Sequence, residues 1–269
     1  MIFTYEFFVN KLNEKIKSDS DFYYELLQTV ISTPNRYTGI FRLSNAKTKL
    51  IQNVTQSREI KFGDFMEDIV TLYIDKMGYT NLNKNIGTDE EGNPLNADQV
   101  FYDDNTVYLI EQKIRDDHDS TKKRGQYQNF KKKFSLLEKS YPNKRIVAVM
   151  WFIDSSLVKN KKYYNAECQK DAKANRELHV YYGETLFLSL FNRLDVWEEI
   201  VAYLQRNKVE RSGDILVIPD FDTSDEMLHA LRRLKIEKPK LYNKLISNKP
   251  EYIQLRAELF TNNINLSKV

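Results

Sequence analysis

Asn96-Ala97-Asp98-Gln99-Val100-Phe101-Tyr102 is followed by Asp103-Asp104-Asn105 and then by Thr106-Val107-Tyr108-Leu109-Ile110-Glu111-Gln112-Lys113. The β-branched, aromatic and aliphatic residues on either side of an Asp/Asn cluster read as two strands and a turn. A two-residue loop at Asp104-Asn105 pairs Asp103 with Thr106. Counting back along such a ladder sets Asp98 opposite Glu111. Strand side chains alternate faces, so Val107, Leu109, Glu111 and Lys113 share one face. Directly opposed residues hold their Cβ atoms about 4.5–5.5 Å apart. Two carboxylates that close repel unless a cation or a proton lies between them. With the Gln112 backbone carbonyl they make an oxygen-rich site suited to Mg²⁺, which takes one or two carboxylates and leaves room for a substrate phosphate. Lys113, two residues beyond Glu111, brings an ammonium that orients or deprotonates an attacking water or offsets charge on phosphorus.

The surrounding sequence predicts alternating strands and helices. Residues 4–32 read as one or two helices, and 33–57 as an irregular polar connection carrying Arg36, Arg42, Asn45, Lys47 and Lys49. Residues 60–77 place Phe62, Phe65, Met66, Ile69, Leu72, Tyr73 and Met77 on one stripe of a helix that Gly78 stops. Glu67 fits neither the apolar nor the wet face of that helix. Bracketed by Gly63, Val70 and Ile74, it is either a surface glutamate or an extra metal ligand. After the hairpin, Asp119 or Ser120 caps a helix whose apolar side is Tyr127, Phe130, Phe134 and Leu137. Residues 144–152 read as a buried central strand, 178–182 as another, 185–193 and 195–207 as helices, and 215–218 as a short strand. Residues 223–262 read as helical with breaks at Pro239 and Pro250. The fold class is α/β, a central mixed β-sheet flanked by helices, with helical N- and C-terminal additions. A single domain is expected over 1–269, with its core at about 60–185 and mainly helical additions at 1–57 and 195–269.

Composition narrows the function further. A hydrophobic content of 41% over 269 residues suffices for a sizeable core. No apolar run approaches the roughly 18 residues of a membrane span, and the first residues lack a signal-peptide layout, so a cytoplasmic protein is expected. The single Cys168 excludes an internal disulfide and a cysteine-based zinc cluster. The net charge of +3 does not by itself point to nucleic acid, but its distribution does. Lys122-Lys123-Arg124, Lys131-Lys132-Lys133, Lys139, Lys144 and Arg145 follow the hairpin closely, where the alternative is a solvated helix face. The triplet falls in the first turn of its helix, against the dipole, a conflict that an external phosphate relieves. Arg115, Lys122, Lys123, Arg124, Gln126 and Asn129 are the candidate DNA contacts.

Helix with acidic residue, Asp-bearing strand, Glu-x-Lys strand, helix, buried strand: this order resembles the PD-(D/E)XK nuclease superfamily, and the basic helix start resembles its type II restriction endonucleases. The resemblance covers about residues 60–185. It implies Asp98 and Glu111 as metal ligands, Lys113 as the catalytic lysine and Glu67 as the auxiliary acid. Ala97 stands where the family motif has proline. The implied activity is Mg²⁺-dependent, sequence-specific cleavage of double-stranded DNA giving 5′-phosphate ends, with Mn²⁺ as a substitute metal. The implied partners are a second copy of the chain and a companion DNA methyltransferase acting on the same site. A repair nuclease or Holliday junction resolvase of the same fold is the alternative, and a non-catalytic DNA-binding protein is the alternative of another class. His118-Asp119 alone would suit an HD-type phosphohydrolase, but the only other histidines lie downstream: His229, and His179, which falls within a strand pattern and reads as a packed core residue. The absence of a glycine-rich phosphate loop argues against a nucleotide-driven motor.

Overall fold

The structure is a computed structural model that describes residues 1–16, 20–211 and 218–269. In chain order the elements are α1 (Tyr5–Lys15), α2 (Ser20–Ser32), α3 (Asn35–Thr38), α4 (Ala46–Lys76), β1 (Thr80–Asn81), β2 (Asn85–Thr88), β3 (Pro94–Asn96), β4 (Gln99–Tyr102) and β5 (Thr106–Lys113). There follow α5 (Ser120–Ser140), β6 (Arg145–Phe152), α6 (Lys161–Asp171), β7 (Arg176–Tyr182), a π-helical turn at Phe187–Phe191, α7 (Leu194–Glu210), α8 (Asp225–Glu237), α9 (Pro239–Leu245), α10 (Pro250–Leu259) and α11 (Ile264–Ser267). The chain divides into two compact units, residues 1–12 with 63–210, and 13–62 with 211–269.

The first unit holds a five-stranded mixed sheet in the order β1-β4-β5-β6-β7. β4 pairs antiparallel with both β1 and β5, whereas β5, β6 and β7 run parallel. Parallel neighbours need a crossover, which α5 and α6 supply. α5 lays Tyr127, Phe130, Phe134 and Leu137 onto Val107 and Leu109 of β5 and Ile146, Ala148 and Met150 of β6. The opposite face carries an aromatic cluster in which Phe101 and Tyr108 stack with centroids 4.9 Å apart, joined by Tyr79, Phe191 and, farther along, Trp151 against Phe187. α4 ends at Gly78, whose φ of +94° lies in the left-handed region that stops a helix without a Cβ penalty. Cys168 is buried, and burial pushes its thiol up to about 12, the behaviour of a packing residue rather than a nucleophile.

Among its described residues the second unit has helices and no strand. Leu27, Val30, Tyr37, Leu50, Val54, Leu231, Leu234, Leu245 and Leu255 form its core. Pro239 and Pro250 each open a helix at its first turn, so the two expected breaks fall between α8 and α9 and between α9 and α10.

Four expectations need correction. Residues 33–57 are not irregular: α3 and the first third of α4 lie there. Ala46, Leu50 and Val54 are buried at four-residue spacing, one apolar side chain per turn, which is too thin a stripe to stand out among polar neighbours. The helix expected over 185–193 is π-helical at Phe187–Phe191 and closes on Asn192 in the left-handed conformation. His179 is half-exposed and stacked on Tyr181, not a packed core residue. Lys133 is buried, whereas its two lysine neighbours in sequence are not. The short strand expected over 215–218 lies, but for Ile218, outside the described residues.

Candidate active site at the open end of the β4–β5 hairpin

The register that the turn residues imply is the one present. Asp103 N donates to Thr106 O at 3.1 Å, closing a two-residue loop, and Asp103 Oδ1 accepts from Thr106 N at 2.9 Å. The ladder runs Tyr102↔Val107, Phe101↔Tyr108, Val100↔Leu109 and Gln99↔Ile110. One further step sets Asp98 against Glu111. Asp98 lies just before the strand, where Gln112 N donates to its Oδ2 at 2.7 Å and fixes it to the end of β5.

Lys113 joins the two carboxylates. Its Nζ donates to Asp98 Oδ2 at 3.2 Å, to Glu111 Oε1 at 2.9 Å and to the Gln112 carbonyl at 2.8 Å. All three ammonium donors are thus used on the three oxygen sources that the sequence singles out. Burial pushes the Lys113 ammonium down, but the Glu111 and Asp98 carboxylates outweigh it and hold its pKa above the ordinary value.

Glu67 is brought to the same place from α4. Gln99, fully buried on β4, donates its Nε2 to the Glu67 carbonyl at 2.7 Å and accepts from Thr71 Oγ1 at 2.7 Å. This clamp fixes one turn of α4 beside the residue that follows Asp98. Lys84 Nζ lies 3.1 Å from Glu67 Oε2. The Glu67 carboxyl is pushed up to about 7, first by burial and then by the negative charge of Asp98, with which it also shares a hydrogen bond; Lys84 works in the opposite direction. Two crowded acids with one raised in this way are an electrostatic deficit that a cation relieves.

Lys133 is a site residue that the lysine run conceals in the sequence. It projects from α5 between Phe130, Phe134 and Leu137, and its Nζ donates to Glu111 Oε2 at 2.5 Å; both side chains are about 5% exposed. Each Glu111 oxygen therefore has its own ammonium, Lys113 on Oε1 and Lys133 on Oε2. The signal was present in the spacing 130, 133, 134, 137, which puts Lys133 on the apolar stripe of α5.

The basic helix start is placed with less intramolecular engagement. Asp119 is the N-cap of α5 and accepts from Thr121 N at 3.0 Å and Lys122 N at 2.8 Å. That use of Asp119 leaves no role for it in an HD-type metal pair. Lys122, Arg124 and Asn129 are exposed, Lys123 is half-buried over the Tyr163 ring at 4.8 Å, and Gln126 accepts from Tyr164 OH at 3.0 Å. Arg115 is half-buried beside the fully buried Asp116, which accepts from Asn160 N, Asn160 Nδ2 and Tyr182 OH at 2.7, 2.8 and 2.9 Å. Asp116 thereby ties the segment between β5 and α5 to the loop after β6 and to the end of β7. Nothing packs where a Cβ on Gly125 would lie, so no close approach within the chain requires glycine there.

Among the described residues no three Asp, Glu, His or Cys side chains converge as a metal cluster. Two carboxylates and a carbonyl nevertheless fit a hard cation that keeps its waters and shares a substrate phosphate, and the ammonium on the same three oxygens holds a positive charge where such a cation would sit.

An α/β mixed sheet with opposed Asp and Glu-x-Lys at the end of one hairpin, and a basic helix following it, defines a restriction-endonuclease-like nuclease. The family model for the type II restriction endonuclease HinfI matches residues 6–89 and 77–208. The chain belongs to the HinfI family of type II restriction endonucleases, site-specific deoxyribonucleases whose substrate is DNA. No individually curated protein matches it. Between the readings left open by the residues, the family decides for restriction over repair, junction resolution or non-catalytic binding. Restriction endonucleases generally use a divalent metal, and no helix among the described residues is long and apolar enough to cross a membrane.

Proposed function

We propose that Asp98, Glu111 and the Gln112 carbonyl hold Mg²⁺, with Mn²⁺ as a substitute, and that Lys113 is the catalytic lysine of a cut leaving 5′-phosphate and 3′-hydroxyl ends. The observation that carries this reading is the Lys113 ammonium bound at once to Asp98, Glu111 and the Gln112 carbonyl. When bound, Mg²⁺ supplies Lewis-acid polarisation of the scissile phosphate. Lys113, held between the two carboxylates, would orient the attacking water and offset charge gathering on phosphorus. Asp98 and Glu111 stay aligned because Gln112 N holds Asp98 Oδ2, the oxygen that Lys113 also contacts, and Lys133 holds Glu111 Oε2.

Glu67 acts as the auxiliary acid, its charge adjustable by virtue of its crowding with Asp98. The Glu67→Gln variant is expected to cleave more slowly and to require more metal for half-maximal rate. Wild-type rates at every metal concentration would make Glu67 a bystander.

Arg115, Lys122, Lys123, Arg124, Gln126 and Asn129 form the DNA-contacting segment. Replacing Lys122, Lys123 and Arg124 together by glutamine is expected to lower the slope of log binding constant against log salt by about 0.9 for each phosphate that is no longer neutralised. A slope equal to the wild-type value returns the triplet to ordinary solvated surface. The chain works as one nuclease with its catalytic core at about 60–185. It acts as a homodimer in the cytoplasm, each copy cutting one strand, beside a methyltransferase that protects the same site.

The direct test is incubation of the purified chain with unmethylated plasmid or phage DNA and Mg²⁺, an EDTA control, and sequencing of the ends. Discrete metal-dependent fragments sharing one short sequence support the reading. Cutting confined to branched or damaged DNA overturns it.

A further inference from the structure

The connection between α3 and α4 carries an apolar tip that the helical unit does not cover. Ile40, Phe41 and Leu43 are 83%, 98% and 110% exposed. They do not belong to a loose stretch. Arg42 N donates to Gly39 O at 2.9 Å, closing a tight turn with Ile40 and Phe41 at its corners. On one side Tyr37 is fully buried in the unit's core and accepts from Asn53 Nδ2 at 2.8 Å. On the other, Ala46 is fully buried and its N–H donates to Glu258 at 2.8 Å. The tip is short, its base is anchored at both ends, and its three apolar side chains face solvent. Contiguous exposed apolar side chains on an anchored turn mark an interaction site.

Charge identifies the partner. From Leu26 to Arg58 the chain holds Arg36, Arg42, Lys47, Lys49 and Arg58 and no acidic residue. Lys47 is paired with Asp220 at 3.0 Å, but Arg36 and Arg42, which flank the tip, are exposed. Two copies of the chain meeting through this turn would set like charges against each other. A polyanion with an apolar interior suits both features: arginines take the phosphates and the apolar residues enter the stack. Apolar wedges flanked by basic side chains are how proteins partly unstack and kink a duplex from the minor groove.

We propose that the Gly39–Ser44 turn is a DNA wedge, with Phe41 inserted at a base step and Arg36 and Arg42 on the adjoining phosphates. The inference rests on duplex DNA being the substrate, as membership of the family establishes, and on none of the metal-site assignments. It makes the helical unit a DNA-deforming element, so that part of the target preference is the ease of unstacking one step rather than a base contact.

The experiment uses the full chain in EDTA with short duplexes taken from a plasmid region that it cuts, each carrying 2-aminopurine at one position. Wild-type protein is expected to raise 2-aminopurine emission at one or two adjacent steps. Phe41→Ala is expected to abolish that rise and to weaken binding by about tenfold, the scale of one aromatic side chain stacked on a base. Arg42→Gln is expected to keep the rise and to lower the salt slope by about one phosphate's worth. Phe41 is exposed, so unchanged circular dichroism of the variant shows that the fold is kept. Emission that stays flat at every position while the wild-type chain binds the duplex overturns the wedge alone. So does a Phe41→Ala variant that binds normally but shifts from dimer to monomer in sedimentation, or one that loses binding to anionic vesicles instead of DNA. A wild-type chain that binds no duplex and cuts none overturns the wedge together with the nuclease reading.

Discussion

Asp98→Asn is expected to stop cleavage while leaving DNA binding near the wild-type level. The substitution keeps an oxygen that accepts from Gln112 N, now at 2.7 Å from Asp98 Oδ2, so the end of β5 stays in place. What it removes is one of the two negative charges that face Lys113. Loss of a single preorganised electrostatic stabiliser slows an enzyme by roughly 10²–10³-fold, and a residue that helps hold the metal should stand at or above the top of that range. Alanine at the same position is a poorer probe, because it also orphans the Gln112 N–H at a cost of about 1–3 kcal/mol. Two readouts separate the roles: multiple-turnover cleavage in Mg²⁺, and duplex binding with Ca²⁺ in place of Mg²⁺. A variant that cleaves within tenfold of wild type would falsify the metal assignment of Asp98. One that loses binding and cleavage together would move Asp98 to a structural role.

The hairpin that makes Asp98 a sharp probe is legible from its residues. The Asp103-Asp104-Asn105 turn and the alternation along Val107–Lys113 determine which side chains share a face, and period-two geometry leaves little freedom once the loop length is set. The capping of α5 by Asp119 and the apolar stripe of Tyr127, Phe130, Phe134 and Leu137 are equally local signals. Glu67 is half legible. Its misfit on the helix pattern is visible, but the Gln99 clamp that sets its turn of α4 beside Asp98 joins residues far apart in sequence. The long reach of α4 back to Ala46 is hidden because Ala46, Leu50 and Val54 give one apolar side chain per turn. The small β2–β3 hairpin is hidden because its strands are too short and polar to show an alternation. Lys133 escapes notice because charge runs are usually solvated. Within Lys131-Lys132-Lys133, the three residues differ only in which way the helix turns them.

Lys133→Met is accordingly expected to cost stability as well as activity. Methionine matches the length and apolar stem of lysine and suits the Phe130, Phe134 and Leu137 surroundings, so packing is roughly conserved. The ammonium is not replaced, and Glu111 Oε2 is left without its donor at a site about 5% exposed. Breaking a buried ion pair from one side typically costs about 3–5 kcal/mol; because Glu111 keeps Lys113 on Oε1, the low end of about 3 kcal/mol is expected, or roughly 6–12 °C in the melting temperature of a unit this size. Removing both charges should cost less than removing one. The double variant Glu111→Gln with Lys133→Met is therefore expected to melt well above Lys133→Met alone while losing cleavage, since a buried pair replaced on both sides is often near neutral. Divalent metal adds a third arm. If Glu111 is a ligand, Mg²⁺ in the melting buffer replaces part of the positive charge lost in Lys133→Met and does little for the double variant, because a cation stabilises by its affinity for the folded site. Equal melting of Lys133→Met and wild type in EDTA would mean that the Lys133–Glu111 pair contributes nothing net. Equal response of the single and double variants to Mg²⁺ would separate Glu111 from the metal while leaving its ion pair with α5 intact.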